Sequence, residues 1–170
     1  VRVPMVDVTA IGAGGGSIAW LDGAGSLRVG PHSAGSEPGP ACYNRGGQHP
    51  TVTDASVVLG YIDPDQFAGG TLSLQPERSR AVIEDVVAKP LGMTVEQAAL
   101  GIHRVLNAQM AEAIRLVSIG RGIDPRGYAL LPLGGGGPMH ACALAEELGI
   151  TRIVVPAHPG VLSAAGLLGA

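Results

Sequence analysis

Two glycine-rich runs carry the strongest chemical signal in this sequence: GAGGGS at residues 12–17 and LGGGGPMH at residues 133–140. The second follows an apolar run, YALLPL at residues 128–133, and leads into MHACALAEELG, which has helical character. A strand that feeds a helix through glycines leaves the first-turn N–H groups and the positive end of the helix dipole facing the loop. That arrangement suits a phosphate, a carboxylate or a nucleotide edge. Pro138 fits the first helical position, where its missing N–H costs nothing. The late run names Gly134, Gly135, Gly136, Gly137 and His140 as candidate nucleotide contacts. A tight turn that needs glycine only for close packing is the alternative. The early run offers Gly14, Gly15, Gly16 and Ser17 as lining for a substrate or phosphate cleft. It lacks the helix and distant acid of a dinucleotide fingerprint and the Lys-Ser/Thr ending of a P-loop, so a purely structural role stays open.

Other candidates lie beside these loops. Asp7 closes an apolar run just before the first glycine loop, and Asp54 stands at the start of a short helix. Either carboxylate could hold a metal or a water as a catalytic group, and Asp54 is more simply an N-cap. Arg45, in YNRGG, is a candidate anion contact or a solvated surface cation. His32, His49, His103 and His158 show no zinc spacing, and the metal ligands stay unassigned. Cys42 has no evident base partner and reads as structural.

These residues need a scaffold. The 170 residues are the length of one ordinary domain, 46% hydrophobic and only 15% charged, which is ample for a core. Aromatics are 3%, so Val, Leu, Ile and Ala must build that core. With 27 Gly and 13 Pro, much of the chain is turn and loop. A net charge of −3 with no basic stripe argues against nucleic acid. No apolar stretch has the ~20 residues of a membrane span. Two cysteines without redox or ligand spacing point to a reducing cytoplasm. The apolar ends at Val1 and Ala170 read as those of a piece of a longer protein.

Along the chain, residues 3–8 read as a strand, and residues 17–21 and 27–29 as a hairpin about Asp22-Gly23-Ala24-Gly25. Residues 31–50 form a long loop that four prolines make rigid. Helices are expected at residues 53–60 and 76–88, the second with Val82, Ile83, Val86 and Val87 on one face. The longest is expected over 94–119, opened by a Thr94/Gln97 capping box and ended by Gly120 and Gly122. Strand 128–133, helix 138–148, strand 152–155 and a short helix from Val161 complete an α/β pattern: a mixed or parallel sheet with flanking helices.

The segments VDVTAIGAGGGSIAW, RVGPHSAGSEPGPACYNRGGQHPTVTDASVVLG, LPLGGGGPMHACALAEELGI and VPAHPGVLSAAGLL, in that order, resemble the hydantoinase A / 5-oxoprolinase / acetone carboxylase β-subunit family over nearly the whole chain. The resemblance implies part of an actin/sugar-kinase/Hsp70-type ATPase fold, with residues 1–170 a single fragment of a larger domain. It implies ATP and Mg²⁺ as cofactors, and places Gly134 to Gly137 on the adenosine side of the nucleotide. It further implies a cyclic amide or ketone substrate and a hydantoinase B-type partner subunit or fused domain. Phosphorylation of an amide or enol oxygen would precede hydrolysis or carboxylation. The family's DxGGT-type phosphate motifs do not occur in this sequence, and Thr9 stands two residues after Asp7 where many members carry His. The expectation is thus a portion of an ATP-dependent cyclic-amide hydrolase, inactive in isolation. A ketone carboxylase subunit, a docking scaffold and a degenerate gene product are the alternatives.

Overall fold

The computed structural model describes residues 8–168. Asp7 and all of the 3–8 strand except Val8 lie outside the described residues, and Val8 itself is exposed and not in a strand.

The hairpin forms where the turn residues put it. β1 (Ser17–Leu21) pairs antiparallel with β2 (Leu27–Ser33), with Ala19 opposite Val29 and Leu21 opposite Leu27. Asp22 closes the turn by accepting from the amides of Ala24 at 3.0 Å and Ser26 at 2.9 Å. β2 runs four residues past the expected Val29, into the start of the proline-rich segment. That segment is ordered. It ends beside β1, where Ala19 N–H donates to the Pro50 carbonyl at 2.8 Å and Ile18 bridges Thr51.

Helix α1 (Val52–Val58) begins with a capping box in which Thr51 is the N-cap and Asp54 the N3 partner, so Asp54, expected as the N-cap, sits three residues inside the actual cap. α2 (Pro76–Ile83) continues through a wide π turn, Glu84–Ala88, into α3 (Lys89–Leu91). Pro90 has no N–H for the Val86 carbonyl, and the widened turn absorbs that loss. α4 (Val95–Ile119) has the expected Thr94/Gln97 box: Gln97 N–H donates to Thr94 Oγ1 at 3.2 Å, and Thr94 N–H to Gln97 Oε1 at 2.9 Å. α5 (Gly137–Leu148) follows the second glycine loop, and α6 (Leu162–Leu168) is the last described element.

The main core lies between the hairpin, α1, the α2–α3 helix and the first half of α4, filled by Val52, Ile83, Val87, Ile102 and Leu106. A second cluster joins Ala111 of α4 to Leu144, Ala145 and Leu148 of α5. The expected strands 128–133 and 152–155 shrink to a single parallel bridge, Leu130 to Ile153. Leu130 N–H donates to Arg152 O, and Val154 N–H to Leu130 O, both at 2.9 Å. Pro132 lacks an amide, which shortens the ladder on one side. The fold is therefore mixed α/β with a small sheet, and no helix among the described residues is long and apolar enough to cross a membrane.

Candidate functional site

The first glycine loop is fastened to the start of α1. Gly14 N–H donates to Ser17 Oγ and Ser17 N–H to Gly14 O, both at 3.0 Å, so the buried Ser17 closes the turn on itself. Thr53 grips the Gly15 carbonyl twice, through its amide at 2.8 Å and its hydroxyl at 3.0 Å. A Cβ on Gly15 would stand 2.7 Å from Thr53 Oγ1, whereas one on Gly14 would meet no described atom within 4 Å. Glycine is thus demanded at Gly15 by packing.

Asp54 organises the segment before α1. Its buried carboxylate accepts from the amides of Ala41 (3.1 Å), Cys42 (2.9 Å) and Thr51 (3.0 Å), and from the hydroxyls of Thr51 (2.8 Å) and Ser79 (2.7 Å). Those five donors tie the 3₁₀ turn Ala41–Tyr43, α1 and α2 to one point. Cys42 beside it is buried, and burial followed by the Asp54 charge pushes its thiol up to about 12. A thiol held protonated is no nucleophile. Arg45 is exposed, close enough to Tyr43 to act on its phenol.

The second glycine loop is built differently. Gly134 has φ +83° and donates to Pro159 O at 2.8 Å. A Cβ on Gly135 or Gly137 would meet no described atom within 4 Å, and one on Gly136 only Met139 Cε at 4.0 Å. The left-handed backbone therefore asks for glycine at Gly134, and the next three positions have open space beside them. In the first turn of α5, Pro138 has no donor and Met139 N–H turns to Gly136 O at 3.2 Å, leaving the Gly137 amide to the loop.

His140 is buried rather than presented at the surface. Its Nδ1 lies 2.7 Å from Asn107 Oδ1, an acceptor only, so Nδ1 carries the proton. Its ring stacks on that of His103 at 5.0 Å. Ser56 donates its hydroxyl to Val52 O at 2.8 Å, so at 2.9 Å it accepts from His103 Nε2–H. Burial holds both imidazoles below the usual range, and the neighbouring His140 adds to this at His103, which falls to about 4. Both rings are neutral at pH 7.

The two glycine loops meet at one cleft of about 650 Å³, with Gly15 and Thr53 on one side and Gly135, Gly136 and Met139 on another. The sequence separates these loops by more than a hundred residues, and the fold brings them together. Two contributors were missed in the sequence: the third wall, from Tyr61 to Ala68, and His103, whose place on the buried stripe of α4 beside Ile102 and Leu106 was the available signal. Among the described residues no group of three or more His, Cys, Asp or Glu could hold a metal ion.

Comparison with known proteins places this geometry in a family. Residues 1–170 match the profile described as hydantoinase/oxoprolinase. The chain is 48% identical to caprolactamase subunit alpha of Pseudomonas jessenii over 166 residues, 98% of this chain and 24% of that one. It is 36% identical to acetone carboxylase beta subunit of Xanthobacter autotrophicus over 165 residues, 96% of this chain and 23% of that one. The crystal structure of ATP-dependent caprolactamase from P. jessenii superimposes with a TM-score of 0.88 at 48% identity, covering 98% of this chain and 24% of the other. Nucleotide-free acetone carboxylase gives a TM-score of 0.84 at 36% identity, covering 91% of this chain and 22% of the other. The chain thus spans about a quarter of the length of these relatives. It belongs to the hydantoinase/oxoprolinase family.

Proposed function

We propose that this chain carries the nucleotide-facing part of an ATP-dependent cyclic-amide hydrolase, within an actin/Hsp70-type ATPase fold completed by the rest of a family-length protein. The observation that carries the reading is the convergence of Gly15 and Gly135–Gly136 on one cleft. Residues 135–137 have open space beside their backbone, and the α5 N-terminus favours negative charge there.

In this reading Gly134 sets the turn, Gly135 and Gly136 allow close approach of the adenosine side of the nucleotide, and the Gly137 amide faces it. His140 acts as a positioning residue, holding the first turn of α5 against α4 through Asn107 and His103. Thr53 fixes the Gly15 carbonyl, and Asp54 fixes α1 beneath it; this makes Asp54 a positioning residue too, since all its described partners are internal donors. Gly14, Gly16 and Ser17 belong to the same early loop as Gly15, Arg45 lies near the cleft residue Tyr43, and Mg²⁺ would arrive with the phosphates. ATP bound there would supply a phosphoryl group to the amide oxygen, with ADP leaving, and so make the ring carbonyl carbon electrophilic toward water. A hydantoinase B-type subunit or domain would complete the site.

A ketone carboxylase is the second reading, supported by the likeness to acetone carboxylase. Phosphate release by the full-length protein with its partner separates the two. Lactam-dependent release without bicarbonate supports the hydrolase. Release that needs a ketone and bicarbonate reassigns the protein, and no ligand-dependent release leaves a docking role.

A further inference from the structure

The segment that enters the second glycine loop has one bonded edge and one bare edge. Leu130 uses both of its backbone groups on the 152–154 segment: its N–H donates to Arg152 O and its carbonyl accepts from Val154 N–H, both at 2.9 Å. Alternate residues of an extended chain turn their N–H and C=O groups to opposite sides, so Ala129, Leu131 and Leu133 turn theirs away from this bridge. None of those three amides donates to a described residue. Pro132, which has no amide, falls on the bonded side with Leu130, so the bare edge keeps every donor.

The two faces of this pair are just as unequal. Leu130 and Ile153 pack inward on the α4–α5 cluster with Ala111 and Leu144. Leu131, Leu133 and Val154 alternate with them, and these apolar side chains are 46%, 44% and 50% exposed. A sheet with one face in water alternates apolar with polar residues, whereas parallel strands covered on both faces read as continuous apolar runs. ALLPL at residues 129–133 and IVV at residues 153–155 are such runs. Two strands joined by one bridge are also too few to hold an apolar sheet by themselves.

We propose that a further apolar strand of the same polypeptide, from outside the described residues, pairs along the Ala129–Leu131–Leu133 edge, and that its layer covers Leu131, Leu133 and Val154. The caprolactamase and acetone carboxylase subunits are about four times the length of this chain, so a family-length protein has ample chain to supply the strand. Three free donors beside an uncovered apolar face are a template for aggregation, and a subunit that covers them itself is protected before any partner arrives. The strand therefore comes from within the polypeptide and not from a separate subunit. Leu133 joins Gly134 directly, so the added strand fixes the base of the second glycine loop.

The test is amide hydrogen exchange, resolved to single residues, on the full-length protein alone and with the hydantoinase B-type subunit added, together with the melting temperature of full-length Leu131→Ser. The Leu130 and Val154 amides bond within the bridge and mark the native fold in each sample. In the protein alone, the Ala129, Leu131 and Leu133 amides should exchange at least about a hundredfold slower than in an unstructured peptide. Leu131→Ser should lower the melting temperature by a few degrees, as expected for a covered apolar side chain. Fast exchange at the three amides that slows only with the added subunit gives the edge to that subunit and overturns the proposal. Fast exchange in both samples, or an unchanged melting temperature in Leu131→Ser, leaves the edge or the face in water and overturns it too. Nucleotide binding enters none of these measurements, so their failure leaves the proposed function untouched.

Discussion

His103 and His140 stack with ring centroids 5.0 Å apart and planes inclined by 27°, and this contact couples the two glycine loops. From the first loop the connection runs from Gly15 through Thr53 and α1 to Ser56, then to His103 on α4. His140 carries it to α5, directly behind the second loop. Tyr61, in the third wall, meets His103 edge-on at 5.2 Å. A buried pair of neutral imidazoles thus sits where all three walls originate.

That pair makes stability depend on pH. Both folded-state values are depressed, so the native state resists protons that the unfolded chain accepts. The stabilisation is present above the ordinary histidine value of 6.5 and is lost as pH falls from there toward about 4, the value for His103. His103 alone predicts a loss of about 2 kcal/mol between pH 7.5 and pH 5, and His140 adds in the same direction. Urea unfolding at the two pH values checks this. The loss should shrink in His103→Gln, which keeps a side-chain amide for Ser56.

Asp54→Ala would strand five buried donors, and a loss on the order of 3–5 kcal/mol is expected. Asp54→Asn turns an NH₂ group toward some of those donors and should be nearly as costly. Denaturation midpoints measure both. An Asp54→Asn protein with wild-type stability and no activity would instead give Asp54 the catalytic role that its type and position suggested.

Gly15→Ala and Gly14→Ala differ by one position and should differ in outcome. The first forces Thr53 off its double bond to the Gly15 carbonyl, at about 1–3 kcal/mol, and the second should stay within about 0.5 kcal/mol of wild type. Thr53→Ala removes the clashing hydroxyl, so the Gly15→Ala penalty should fall in that background. A thermal-shift cycle of the four proteins reads the coupling.

The two thiols should separate cleanly. Cys142 is exposed, while Cys42 is buried with its thiol raised to about 12. A thiolate-trapping disulfide reagent at pH 8 should titrate one thiol in the native protein and the second only on unfolding. Rapid reaction of both would contradict the burial of Cys42.

Local signals in the sequence were enough for the hairpin turn at Asp22, the Thr94/Gln97 box and the glycine stop after α4, because each is fixed by residues within a few positions of one another. The site was legible in part. The glycine loops declared themselves by composition, but their meeting depends on α1, α4 and α5 packing together, and nothing local encodes that. Asp54 read as a helix-start residue because its helix is local, while its five donors lie on Ala41, Cys42, Thr51 and Ser79, three of these residues more than ten positions away. Strands 128–133 and 152–155 read as full strands because their apolar runs are long, yet a run forms only as much ladder as its partners supply. The third wall went unremarked because Tyr61 to Ala68 carry no motif; only the cleft gives them meaning.

The most direct test of the account is thermal unfolding of the full-length protein with and without millimolar Mg-ADP, in wild type and Gly135→Ala. A Cβ at Gly135 meets no described atom within 4 Å and the backbone there is not left-handed, so the variant should fold as well as wild type. A ligand that binds only the native state raises the melting temperature, with about 2.7 kcal/mol of stabilisation at a hundredfold excess over Kd. The account predicts a clear rise in wild type and its loss in Gly135→Ala, with equal melting temperatures in the absence of ADP. An equal rise in both proteins would place the nucleotide elsewhere and contradict the central claim.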